Sequence, residues 1–405
     1  MVKNNPLKLF RSRYVRAVIG SSLFSQLGIW IRNFAVLLFV MEDTDGDALA
    51  VSLVSVAEYG PILLFSLIGG VFADRWRPKK TMVWCEVLSA LSVIFVFLML
   101  QSNSFLAVLL SLLGSSILSQ FAQPAGMKLF KQHLSETEAA PCMSLLQALF
   151  AVFMVVGPIL GTWVYGHFGI EITLIIVFTA FLGSAAALLR IPPDPHSEAQ
   201  SAALPASFLR EIGEGFRYVW ENPILKWLSF TFAAVGSGVG LISPLGIFLV
   251  TEKLGLPAQN IQWLSVPYGL GEIAGGMAAF ALSAKIPPLR MLRIGLVCNA
   301  IGIATTGLSP VLWLTMLTQG FVALLQPAIL IGNQTLVMQH TDSALIGRVT
   351  GIRTPLMTGT MLLGMSLSGL LKKAFPLEAW YGAAGLCFLA GFLVLIPLRK
   401  NFPAA

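Results

Sequence analysis

The sequence predicts an all-α membrane protein: twelve transmembrane helices in two six-helix bundles, with both termini cytoplasmic. Three observations carry this. Of 405 residues, 56% are hydrophobic and 11% charged. A soluble protein of that composition would expose aggregating surface, whereas lipid solvates it. Twelve stretches approach the roughly 20 apolar residues needed to cross a hydrocarbon core. Finally, the basic residues cluster on alternate connections, the charge asymmetry that marks a cytoplasmic face.

The twelve segments are expected at about 14–40, 48–72, 80–101, 104–127, 141–165, 170–191, 223–250, 261–284, 289–308, 311–338, 345–371 and 377–398. Their connections are short, so sequence neighbours should run antiparallel. The N-terminus holds Lys3, Lys8, Arg11, Arg13 and Arg16, and the start runs into an apolar segment without a small-residue cleavage site, so no cleaved signal peptide is expected. The second connection holds Arg75, Arg77, Lys79 and Lys80, the fourth Lys128 and Lys131, and the sixth Arg190, Arg210, Arg217 and Lys226. The eighth holds Lys285, Arg290 and Arg293, the tenth Arg348 and Arg353, and the C-terminus Arg399 and Lys400. Only Lys253, Lys372 and Lys373 fall on odd-numbered connections, and Arg32 lies within a helix. The first outer loop, EDTDGD, is acidic, while the Lys372–Lys373 pair runs against the trend. The net charge of +7 is thus accounted for by topology, without a nucleic-acid partner.

The longest polar stretch, 192–222, opens with PPDP and divides the chain into an N-terminal bundle, 1–191, and a C-terminal bundle, 223–405. From about Leu204 it reads as an amphipathic surface helix, with Phe208, Ile212, Phe216 and Val219 at helical spacing. Gln123-Pro124-Ala125 and Gln326-Pro327-Ala328 occupy equivalent helices, four and ten, and a Gln-His pair follows each. Duplicated halves are the expectation.

Four ionisable groups fall inside apolar segments, where they are costly and face a partner or a cavity. Arg32 and Glu58 lie at similar depths, about 12 and 15 Å from the outer ends of helices one and two. They are expected to form an ion pair, either static or one whose protonation biases the access equilibrium. Glu86, near Asp74 and the basic loop, is expected to form an interhelical salt bridge there, with substrate contact as the alternative. Glu272, mid-helix eight beside Tyr268, is a candidate for substrate or proton contact or for a bridge to another helix. Cys85, Cys142, Cys298 and Cys387 form no CxxC pair and read as packing residues. The four histidines share no ligand spacing and no phosphate-binding loop occurs, so neither an enzyme, a metal, a cofactor nor ATP is expected.

Two motifs narrow the reading. Gly69-Gly70-Val71-Phe72-Ala73-Asp74-Arg75-Trp76-Arg77-Pro78-Lys79-Lys80 resembles the loop signature of the major facilitator superfamily, with Pro78 where a small or basic residue is usual. The resemblance implies a conformational latch made by Gly70, Asp74, Arg75, Lys79 and Lys80. Gly157-Pro158-Ile159-Leu160-Gly161 resembles the helix-five motif of exporters in that family, with Thr162 in place of a second glycine. Here Pro158 should kink the helix and the glycines should allow tight packing. FLREIGEGFRYVWENPILKWL, FAQPAGMKLFKQHL and ALIGRVTGI are similar to the bacterial drug-exporter branch that includes macrolide and siderophore efflux proteins. That resemblance implies a monomeric secondary transporter of the bacterial inner or cytoplasmic membrane. It would export small amphiphilic molecules by alternating access, with protons as the coupling ion. An importer or a lipid or lysolipid flippase on the same fold is the alternative. Helix four lacks the arginine of many proton antiporters in the family: Ser111-Leu112-Leu113-Gly114-Ser115-Ser116 has none.

Overall fold

The computed structural model describes residues 13–99, 105–133, 136–191, 208–283, 285–342 and 345–398, except for the side chains at 13, 66–75, 124, 127–128, 130–133, 136–141 and 208–212. Among these residues the regular structure is entirely helical: α1 (Arg13–Asp43), α2 (Ala48–Arg75), α3 (Pro78–Met99), α4 (Phe105–His133), α5 (Glu136–Leu189), α6 (Phe208–Glu221), α7 (Pro223–Ile242), α8 (Gly246–Phe248), α9 (Gln262–Leu282), α10 (Pro288–Leu308), α11 (Leu312–Gln339), α12 (Ile346–Leu371) and α13 (Leu377–Val394). Ten helical segments are long and apolar enough to cross a membrane. One of them, Cys142–Leu189, has 48 residues. Straight, it would measure about 72 Å, more than twice a hydrocarbon core. It is not straight: Gly169 sits at φ 69°, a left-handed conformation that favours glycine. Gly28 meets Phe181, and Trp30, two residues on, meets Gly157. Both arms of α5 therefore lie side by side along α1. The two helices expected at 141–165 and 170–191 are these arms, joined without a loop. At Pro158 the backbone stays helical. The only non-helical backbone inside α5 is at Gly169.

The chain forms two compact units, one of Met1–Asp45 with Ala57–Leu204 and one of Gly46–Val56 with Pro205–Ala405. In the first, α1 packs along α5, and α3 packs on α4 and α5. Glycines set the α1–α5 approach. A Cβ on Gly157 would lie 2.6 Å from the Trp30 ring, and one on Gly161 would lie 2.7 Å from Phe34 Cβ.

In the second unit α7 packs on α12 and α13, α10 on α11 and α13, and α9 on α11. Asn222 caps α7, accepting from the backbone of Ile224 at 3.0 Å and Leu225 at 3.3 Å, with Pro223 in the first turn. Beyond α7 an irregular stretch leads through α8 and Gly255, at φ 64°, to α9. The basic residues on odd-numbered connections are paired here. Lys253 donates to the Gly307 carbonyl and Glu378, Lys372 pairs with Glu252 over the Phe248 ring, and Lys373 lies 3.7 Å from Asp47. The amphipathic helix is α6. Its Val219 is buried and Gly215 lies against Arg348 and Ile352 of α12, while Phe216 and Trp220 stack on the exposed side.

Candidate functional site

The first unit holds a polar cluster inside its apolar helices. Arg32, on α1, is 6% exposed. Its guanidinium donates to Ser115 on α4 and, at 3.0 and 3.2 Å, to the side-chain carbonyl of Asn33. It also stands 5.9 Å from the Phe181 ring centroid. Asn33 Nδ2 in turn donates to Glu58 Oε1 on α2 at 2.7 Å. Arg32 and Glu58 are thus brought together, but through Asn33, and the expected direct ion pair is absent. An arginine fork needs acceptors in a plane. The neighbouring amide supplies one on the same helix, leaving its own NH2 free to reach the acid.

Glu86 lies eight residues into α3. Its electrostatic partner is Arg32, and the Ser25 and Ser184 hydroxyls donate toward its carboxylate. Its Oε2 is fully buried and has no hydrogen-bond partner. Asp74, near which the sequence places Glu86, lies outside the described side chains, as do Gly70 and Arg75. Of the remaining signature residues, Lys80 is exposed. Lys79 donates to the carbonyls of Leu189, at 3.2 Å, and Ile191. Those carbonyls lie at and just past the C-terminal end of α5, where a cation is favoured.

The second unit holds a cluster of similar make-up that the sequence reading missed. Arg353, assigned to a cytoplasmic connection, lies in the second turn of α12 and is 6% exposed. It donates to Ser229 Oγ at 3.1 Å and the Leu228 carbonyl at 3.2 Å on α7, and to Asn333 Oδ1 at 2.6 Å on α11. Its guanidinium lies 5.3 Å from the Phe232 centroid. No carboxylate pairs with it among the described residues. A signal was present: Asn333 interrupts an apolar stretch, and Arg353 sits between Ile352 and Pro355 rather than in a polar run.

Glu272 is half-buried on α9, with Tyr268 as its electrostatic neighbour one turn earlier and no hydrogen-bonding partner among the described residues. The α11 side of α9 is taken by Gly271 and Gly275, which touch the backbone of Gly320 and Leu324. Among the described residues no group of three His, Cys, Asp or Glu side chains could hold a metal ion.

Comparison with known proteins agrees with this architecture. The family profile described as Major Facilitator Superfamily matches residues 18–257. The chain is 25% identical over 407 residues to the uncharacterized MFS-type transporter YkuC of Bacillus subtilis, covering 97% of this chain and 94% of that one. It is 26% identical over 388 residues to the multidrug efflux pump Tap of Mycobacterium tuberculosis, covering 92% and 89%. Among solved structures, an inward-facing bacterial homologue of the iron transporter ferroportin shares the fold, with a TM-score of 0.73 at 15% identity over 95% of this chain and 98% of that one.

Proposed function

Because the chain belongs to the Major Facilitator Superfamily, a family of membrane transporters rather than enzymes, we propose that it is a proton-driven exporter of small amphiphilic molecules. The likeness to Tap, a multidrug efflux pump, supports a drug-type substrate and a place in the cytoplasmic membrane. In this reading both arms of α5 and α9 are spans, giving twelve, and both termini are cytoplasmic. The stretch 192–222 links two halves that expose the substrate alternately to each side. Gly70, Asp74, Arg75, Lys79 and Lys80 act as the latch, Gly157, Pro158 and Gly161 set the export geometry of α5, and Glu272 contacts substrate. The protein works as a monomer.

The observation that carries proton coupling is the buried link from Arg32 through Asn33 to Glu58. Ionised, Glu58 supplies the counter-charge for Arg32. Protonated, it leaves the guanidinium uncompensated in a low-dielectric interior, which shifts the balance between two arrangements. The test is efflux of dyes and macrolides from cells with and without the protein, at two pH gradients. Export that rises with the inward proton gradient and is lost in Glu58→Gln supports the reading. Faster accumulation instead of efflux would make the protein an importer, and lipid movement without drug efflux would make it a flippase.

A further inference from the structure

Glu86 has no part in the mechanism so far, yet it is the buried group with the least-satisfied chemistry in the first unit. It lies eight residues into α3, about 12 Å from the helix start. One carboxylate oxygen is buried without a partner. The groups facing it are Ser25 and Arg32 from α1 and Ser184 from α5, with Cys85 beside it on α3. Ser184 is itself bonded to Ser21 at 2.8 Å, and Ser115, which receives the Arg32 bond, also lies 3.4 Å from Ser89, on the α3 turn that follows Glu86. Glu58, from α2, is the other acid that Arg32 feels.

The charge count is decisive. Among the described side chains one guanidinium faces two carboxylates in a region walled by apolar helices. With both acids ionised the cluster carries one net negative charge, which a low-dielectric surround penalises heavily. With one acid protonated it is neutral. Only one carboxylate at a time has its counter-charge, and the second is stable as the acid. The unpartnered Oε2 of Glu86 is where a carboxyl proton would sit, since a neutral carboxyl group needs fewer partners than a carboxylate.

We infer that the first unit holds one exchangeable proton shared by Glu58 and Glu86 across Arg32, so that Glu86 is a second proton-holding residue. Exchange breaks the O–H bond on one carboxyl group and makes one on the other; no charge is created, and Arg32 compensates whichever acid is ionised. The two acids then titrate as a pair. This deepens the proton-coupled reading above, but proton holding is read without transport, so the two can fail separately.

The experiment is infrared difference spectroscopy of the full-length protein in lipid nanodiscs, stepping pH and following the C=O band of protonated carboxyl groups. The wild type should show one buried carboxyl equivalent that is lost as pH rises. Glu58→Gln and Glu86→Gln should each abolish it, because each leaves one carboxylate matched to Arg32 with no proton to hold. Glu86→Asp should keep the band with a moved midpoint, and it serves in place of Glu86→Gln if that variant does not fold. A full-size, unmoved band in the Glu86 variants would overturn the inference. So would two bands, each removed by one substitution alone, because that means independent sites. An intact shared band in a protein whose export ignores the proton gradient would sink proton coupling and leave the shared site standing.

Discussion

Arg353 makes three hydrogen bonds to two helices and faces no acid. Its charge is solvated by the dipoles of Ser229, Asn333 and a main-chain carbonyl. Arg32 is held by a serine and an asparagine in the same way, but with carboxylates within electrostatic reach. The two clusters therefore differ in one respect: among the described residues only the one in the first unit has acids within reach of its arginine, and the proposed proton exchange is placed there for that reason. Arg353→Ala should lower stability by about 1–3 kcal/mol, the cost of leaving buried acceptors unmet, without altering the pH dependence of export. Glu58→Gln should flatten that dependence. Stability can be read as dye labelling of thiols on heating, because Cys85 and Cys142 are buried. At Gly157 any side chain meets the Trp30 ring. Gly157→Leu should cost on the order of 1–3 kcal/mol through overpacking and reduce export, measured as dye efflux per folded transporter.

At the scale of elements, α5 depends on Gly169 to fold back on itself. An L-residue there pays roughly 1–2 kcal/mol for the left-handed backbone, so Gly169→Ala should lower stability by that much, read as a lower thiol-labelling midpoint on heating. The helix α6 adheres to the second unit through Val219 and Gly215. Val219→Asp should release it and open 208–221 to proteolysis in membranes. Most helix positions were legible because a bilayer demands long apolar runs whatever surrounds them. The start of α7 was legible too, in Asn222-Pro223. The sequence left unsaid which helix faces which. Glu86 reads from the sequence as lying near the basic loop, but the direction of its side chain around α3, within reach of Arg32, Ser25 and Ser184, is not legible in α3 alone. Arg353 was counted with a loop because a cation near a span end ordinarily reaches water. Its burial depends on acceptors contributed by α7 and α11, which no reading of α12 alone reveals. The direct Arg32–Glu58 pair was expected from depth alone, which cannot foresee that the adjacent Asn33 intervenes.

For the whole molecule, a pH-dependence follows from the sign of the coupling. In the proposed antiport, protonation from the outside and release to the inside drive export, so lowering external pH at fixed internal pH should accelerate efflux, and a protonophore should abolish the acceleration. Dye efflux from loaded cells measures both. The charge asymmetry that set the expected topology had one dissent, the Lys372–Lys373 pair. Lys372 lies against Glu252 and Phe248, and Lys373 near Asp47, so the dissenting charge is locally neutralised.

The contact of α7 with α12 is made by bare backbone: a Cβ at Gly236 or Gly240 would strike the main chain of Met357 or Met361, and one at Gly364 would lie 2.8 Å from the Ser237 carbonyl. The consequence is evolutionary. Where two main chains touch, there is no side chain for drift to trade against another, and a neighbour cannot shrink to make room. Compensating pairs of substitutions, the ordinary route by which a protein interior changes its sequence, are closed at these positions. A saturation library should therefore show glycine alone surviving at 236, 240 and 364, with no second-site suppressors, while the lipid-facing residues around them vary freely.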